Sequence, residues 1–162
     1  MPERYTRAQI VLHWLVALLV LAQYLNHDAI GSAWSAIRRG LQDVPGGPLV
    51  AAHVVIGLAI LAFTLWRIAL RMTHGAPPPP PEEPRVLRTL AAATHGSLYL
   101  LLLLLPLSGL AAWFGDVGRA ADAHAVLKSL LMAVILLHVA GALYQRFVLR
   151  SDVVSRMLRA SR

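Results

Sequence analysis

The sequence predicts an all-α protein, a bundle of four membrane-spanning helices. Three observations carry that prediction. Apolar residues make up 57% of the 162-residue chain and charged residues 14%, against about 25% charged in ordinary soluble domains; mean hydropathy is +0.61. Four apolar stretches each approach or exceed the roughly 20 residues that cross about 30 Å of hydrocarbon. All four are rich in Leu, Ala and Val and too long for strands, and backbone in lipid must satisfy its own hydrogen bonds, so each is read as a helix. At this length a single domain over 1–162 is expected.

The first span is placed at 8–25. The opening MPERYTRAQIVLHWLVALLVLAQYL has a basic start and an apolar run but no small-x-small cleavage site after it, so it is read as a retained helix that directs insertion. The link NHDAIGSAWSAIRRGLQDVPGGP follows, with a short interfacial helix expected around 32–41 and a stop at PGGP. The second span, LVAAHVVIGLAILAFTLWRIAL, covers 49–70. Its exit, THGAPPPPPEEPRV, contains a five-proline run that favours polyproline II and cannot continue a helix, which makes a stiff surface spacer. The third span, LAAATHGSLYLLLLLLPLSGLAAWF, covers 90–114. A short polar link, GDVGRAADA, leads to the fourth span at 124–149.

Charge orients the bundle. The formal net charge is +7, but the basic residues lie between apolar stretches and at the termini, a placement that membrane topology explains and a nucleic-acid surface does not. Arg4 and Arg7 face Glu3; Arg67, Arg71, Arg85 and Arg88 outnumber Glu82 and Glu83; Arg146, Arg150, Arg156, Arg159 and Arg162 outnumber Asp152. The first link balances Arg38 and Arg39 with Asp28 and Asp43, and the third balances Arg119 with Asp116 and Asp122, Lys128 lying just inside the helix. The positive-inside rule puts both termini and the proline link in the cytoplasm, as an even number of spans requires. The tail 151–162 is read as a basic amphipathic helix on the inner leaflet, and Trp14 and Trp66 as interface anchors.

The chain has no cysteine. Disulfides, iron-sulfur ligation, thiolate-bound or covalently attached haem and cysteine nucleophiles are excluded, so metal chemistry falls to histidine, methionine or oxygen. The histidines sort by depth. His124 and His138 are 14 residues apart. At 1.5 Å and about 100° per residue, that spacing puts them on one helix face about 21 Å apart along the axis. His13 lies near the inner end of its span and His53 near the outer end of its own. Depth therefore pairs His13 with His138 and His53 with His124.

Ionisable groups in hydrocarbon are costly and functional by default, and a haem explains two such pairs. Neutral imidazole is an axial ligand, porphyrin is an apolar disc, and a four-helix bundle can hold it between facing helices. Gly57 and Gly141 would let a macrocycle approach the backbone, and arginine or backbone donors near the surface would take its propionates. Zinc suits the pattern less, since it wants three or four clustered ligands. A histidine that only bonds across helices or lines a proton route is the plainer reading of any one of these residues. His27 is read as a surface residue and His74 as exposed in the proline link. His95 could replace His13 or His138 as a ligand, or bond a propionate or a quinone carbonyl; the second role is preferred.

The opening RYTRAQIVLHWLVALLVLAQY, the stretches AHVVIGLAILAFTLWRI and THGSLYLLLLLLPLSGLAAW, and the histidine pair of the fourth span resemble the bacterial cytochrome b561 family. The likeness covers almost the whole chain. This is the four-helix, di-haem type, related to the cytochrome b subunits of nickel-iron hydrogenases. The resemblance implies two non-covalent haem b groups ligated by His13, His53, His124 and His138. It also matches His95 to a histidine opening the third helix, with Pro106 and Gly109 as the Pro-x-x-Gly that follows. Standalone members exchange electrons with ubiquinone in the bacterial inner membrane, and one passes an electron to it from superoxide at the outer surface. The third link is shorter here than in that superoxide oxidase.

The expected activity is outer-sphere electron transfer between an outer donor, superoxide, and ubiquinone at the inner side. Arg38, Arg39, Arg119 and Lys128 could attract the anion, although ordinary surface charge is the simpler account of each. His95, Tyr99, Arg67 and Arg7 could form the quinone site in an apolar cleft. The alternative is a cytochrome b subunit relaying electrons between a dehydrogenase or hydrogenase partner and quinone. A bundle without redox chemistry is the third reading.

Overall fold

The computed structural model describes residues 4–158. Among them are six helices: α1 (Arg7–Leu25), α2 (His27–Arg38), α3 (Pro48–His74), α4 (Arg85–Gly115), α5 (Gly118–Phe147) and α6 (Val153–Arg156). The structure is all-α, and α1, α3, α4 and α5 are the helices long and apolar enough to cross a membrane. Arg159, Arg162 and Glu3, part of the charge argument above, lie outside the described residues, as does the last third of the tail helix expected over 151–162.

Local sequence accounts for most helix ends. Thr6 and Gln9 form a capping box at the start of α1: Gln9 N–H donates to Thr6 Oγ1 at 3.2 Å and Thr6 N–H to Gln9 Oε1 at 2.9 Å. Pro48 occupies the first turn of α3, where its missing N–H costs nothing, and Gly75 ends that helix at a φ of 72°. The α3 helix thus continues to His74, which is exposed at its end. The fourth crossing helix begins at Gly118, earlier than His124; the alanine-rich stretch RAADA is helix-forming, so most of the predicted third link is the first turns of α5. His124 therefore sits well inside its helix.

The four long helices pack in a row that curls into a bundle: α1 against α3, α3 against α4, and α4 closely against α5. At mid-depth Val16 and Val20 of α1, Ile60 of α3, Leu101 and Leu102 of α4 and Leu131 of α5 form the core. Leu131 is the single buried residue of α5 among the described residues. In lipid, apolar burial between helices gains little over lipid contact, so close packing and interhelical polar bonds carry association. Three such bonds are Tyr24 O–H to the Lys128 carbonyl at 2.6 Å, Gln23 Nε2 to the His53 carbonyl at 2.9 Å and Asn26 Nδ2 to the Leu49 carbonyl at 2.8 Å.

The two ends differ. At the terminal end, where the described residues begin and end, the proline link is tied down. Gln9 Nε2 donates to the Gly75 carbonyl at 2.9 Å, Arg88 to the Pro80 and Pro81 carbonyls at 3.1 and 2.6 Å, and Arg156 to the Pro78 carbonyl at 2.8 Å. Gln145 donates to Glu83 across the same seam. Trp14 Nε1–H donates to the Met157 carbonyl at 2.9 Å, so this half-exposed ring also anchors the tail. At the far end α2 runs from His27 rather than from about 32, packs on α3, and covers the gap between spans. Its Arg38 lies over the start of α5, where a Cβ on Gly118 would come within 2.6 Å of Arg38 Nη1.

Candidate functional site

The histidines meet in two places. At the terminal end His13 of α1 faces His138 of α5 with ring centroids 6.2 Å apart; at the far end His53 of α3 faces His124 of α5 at 6.4 Å. All four rings are partly buried. Both pairs draw on α5, as its 14-residue spacing allows, and both bridge helices that do not pack tightly on each other.

Metal–imidazole bonds of about 2 Å, with a ring nitrogen about 1.2 Å from its centroid, put two imidazoles on opposite sides of one ion about 6.4 Å apart. The two observed separations suit that arrangement. His95 of α4 also reaches His138, edge to face, but at 5.1 Å, too close for the two to lie on opposite sides of one ion. Among the described residues no group of three or more His, Cys, Asp or Glu side chains is placed to hold a metal ion between them, so each pair has two imidazoles to offer.

The far pair sits in a cavity of about 320 Å³, apolar except for a few groups that include Gln23, Tyr24, His27 and Lys128. His124 is oriented by α4: its Nδ1–H donates to the Leu105 carbonyl at 2.9 Å, and Ser108 Oγ lies 3.1 Å away. That leaves Nε2 as the free lone pair. Pro106 sits inside α4 between these partners; having no N–H, it leaves a carbonyl of the preceding turn without its helical donor. Gly109, one turn on, gives the ring its room, since a Cβ there would stand 3.2 Å from His124 Cε1. Opposite, His53 Nδ1 is buried without a hydrogen-bond partner, as is Gln23 Oε1. Of the two glycines singled out in the sequence, Gly57 is pressed by Gln23 Nε2, 3.3 Å from where its Cβ would be, whereas at Gly141 a Cβ would meet nothing within 4 Å.

His27 lies at the surface, as expected, but does more there. It lines the far cavity and a groove of about 460 Å³ on the other side of α2, with Nδ1 2.7 Å from the Tyr24 carbonyl and Nε2 3.3 Å from Asp28 Oδ1. The sequence missed its cavity-lining role because α2 was expected to start later.

At the terminal end Arg67 Nη2 lies 3.1 Å from His13 Nδ1, and the same guanidinium stands over the Tyr99 ring, 5.4 Å from its centroid. His95 Nδ1–H donates to the Ala91 carbonyl at 2.7 Å, which leaves its Nε2 free. Of the predicted site residues, His13, His95, His138, Arg67 and Tyr99 thus gather at this end; Arg7, the first residue of α1, is exposed. Tyr5 joins them without having been foreseen. It lies just before α1 and within reach of the charges of Arg71, Arg156 and Arg67, and burial pushes its hydroxyl above the ordinary 10.0. Only its position after a basic start hinted at this.

The profile of the family described as prokaryotic cytochrome b561 matches residues 4–160. A protein of Cereibacter sphaeroides named cytochrome b562 is 38% identical over 155 residues, 96% of this chain and 95% of that one. A protein of Yersinia pestis named probable superoxide oxidase CybB is 30% identical over 181 aligned residues, 98% of this chain and 97% of that one. That alignment is longer than the 162-residue chain, so the Yersinia protein has segments this one lacks. With four apolar spans and two facing histidine pairs already in place, these matches settle the class: the chain belongs to the prokaryotic cytochrome b561 family, a multi-pass inner-membrane protein with a general electron-transfer role.

Proposed function

We propose that the protein moves electrons across the membrane from superoxide, met at the far end, to ubiquinone at the terminal end. Two non-covalent haem b groups would be held by His13 with His138 and by His53 with His124. The observation that carries this reading is the pair of ring separations, 6.2 and 6.4 Å: each pair would offer two imidazoles to one haem. The cavity around His53 and His124 is apolar, as a porphyrin requires, and Gly141 leaves room beside His138. When bound, haem supplies reversible one-electron chemistry at iron.

The chain's own residues define the rest. Two imidazoles offered to each haem would leave its iron no open position, so the chemistry it would supply is outer-sphere electron transfer. His124 is fixed in its ligating tautomer by the Leu105 carbonyl. Superoxide loses one electron and becomes dioxygen; two such electrons and two protons convert a quinone into a quinol. At the far end Arg38, Arg39, Arg119 and Lys128 form no ion pair among the described residues, which suits attraction of a small anion. The terminal end, cytoplasmic by the positive-inside rule, groups His95, Tyr99 and Arg67 as a site for a quinone carbonyl, with Arg7 exposed at its edge.

The Cereibacter relative is named simply a cytochrome, which keeps a second reading in view: a cytochrome b subunit relaying electrons between a dehydrogenase or hydrogenase partner and quinone. Stopped-flow mixing of the oxidised, purified protein with superoxide separates the two. Superoxide oxidation predicts reduction of the haem absorbance faster than spontaneous dismutation, and reoxidation when a ubiquinone analogue is added. Absence of reduction would leave the relay.

A further inference from the structure

Lys128 is the only lysine of the chain; every other member of its 15 Lys and Arg residues is an arginine. It stands apart from the other cations of the far end. Arg38, Arg39 and Arg119 are exposed, whereas Lys128 is partly buried and lines the apolar cavity that holds His53 and His124. No carboxylate lines that cavity, and Lys128 forms no ion pair among the described residues. A charge so placed is screened less than one at an open surface.

The helix aims this charge at one centre. Lys128 lies four residues beyond His124 and ten before His138 on α5, about 6 and 15 Å along the axis. Its charge reaches the rings of both His53 and His124. The backbone is pinned where the side chain starts, because Tyr24 O–H of α1 donates to the Lys128 carbonyl at 2.6 Å.

We infer that Lys128 raises the electron affinity of the centre at His53 and His124 and so makes the far end the place where an electron is captured. This rests on the haem reading above. The reduced centre has one positive charge fewer than the oxidised one, so a fixed cation beside it favours the reduced state. The Leu105 carbonyl on His124 Nδ1–H works the other way, since it makes that imidazole a more basic ligand. Lys128 offsets that bond, and substituting Lys128 reads its share alone. The step it favours is a one-electron transfer: the donor loses one electron, the far centre gains it, and no bond forms or breaks.

The test is a potentiometric titration of the purified holoprotein followed by absorbance, with haem per chain counted. In Lys128→Met the component that His53→Ala removes is expected to fall about tenfold in its reduction equilibrium, about 59 mV for one electron, while the other component moves much less. Lys128→Arg, which keeps the charge, is expected to stay nearer the parent than Lys128→Met does. The inference is overturned if the far component stays, if it rises, if both components move alike, or if Arg lowers it as far as Met. Should Lys128→Met not retain both haems, acetylation of the assembled parent decides, because Lys128 carries the only side-chain amine. Acetylation removes the charge of a lysine, whereas amidination keeps it. Once mass spectrometry shows Lys128 modified, acetylation is expected to lower the far component and amidination to leave it; equal effects overturn the inference. Acetylated Lys128→Arg, whose remaining amine is the amino terminus, is expected to keep its midpoints, and a fall there as large as the parent's also overturns it. A parent protein with fewer than two haems would overturn the underlying reading as well, whereas two haems with an immobile far midpoint overturn this one alone.

Discussion

Alanine at His138 is expected to halve the bis-imidazole absorbance of the purified protein and leave the second spectral component unchanged; alanine at His53 is expected to remove that second component instead. His138 faces His13 and His53 faces His124, at opposite ends of the bundle, so the two losses should be independent and add in the double variant. Each removed imidazole deprives one centre of half its protein ligands, whether the haem then leaves or remains with a single ligand. A reduced-minus-oxidised spectrum with haem quantification reads both cases. His95→Ala serves as the discriminating control. Its ring is 5.1 Å from His138, and it should keep both components if His13 is the partner of His138. Loss of the terminal component in His95→Ala with retention in His13→Ala would reverse the pairing.

Valine at Gly109 is the second large effect. Helix propensity alone favours replacing this glycine, since glycine inside a helix is about 1 kcal/mol worse than alanine. Steric contact opposes it: the first added carbon would already stand 3.2 Å from His124 Cε1 and 3.3 Å from Nδ1, and this ring is pinned from behind by the Leu105 carbonyl. A branched side chain would displace the ring, and disturbing what orients a ligand typically costs about 10–100-fold in metal affinity. The expected result is loss of the far component on purification with the terminal one intact. Gly57→Val should do less, because the atom pressed there is the end of a flexible Gln23 side chain. Equal losses from the two variants would show that general helix packing, rather than the His124 ring, is at stake.

The long helices were legible because lipid demands long apolar runs, and the histidines because an imidazole in such a run stands out. Depth along the axis then followed from counting residues. What could not be counted was rotation about each axis. In LVAAHVVIGLAILAFTLWRIAL, His53 and Arg67 are 14 residues apart and so share a helix face, but the sequence does not say which neighbouring helix that face meets, and only the structure puts Arg67 beside His13. The extent of α2 was also hidden. HDAIGSAWSAIR suits a helix lying on a membrane surface as well as one folded over the ends of others, and only the packed structure turns His27 toward a cavity. The neighbours of His124 depend on the meeting of α4 and α5, which juxtaposes Leu105, Ser108 and Gly109 with a ring from another helix. The motif Pro-x-x-Gly marked the place without showing what it accommodates.

The helix that carries both His124 and His138 packs chiefly on α4 and, among the described residues, buries Leu131 alone. If haem is held as proposed, newly inserted chains would have a loosely seated α5 until the haem arrives. Cells starved of iron would then be expected to clear this protein through membrane quality control before any message level changed, making its abundance a gauge of cofactor supply.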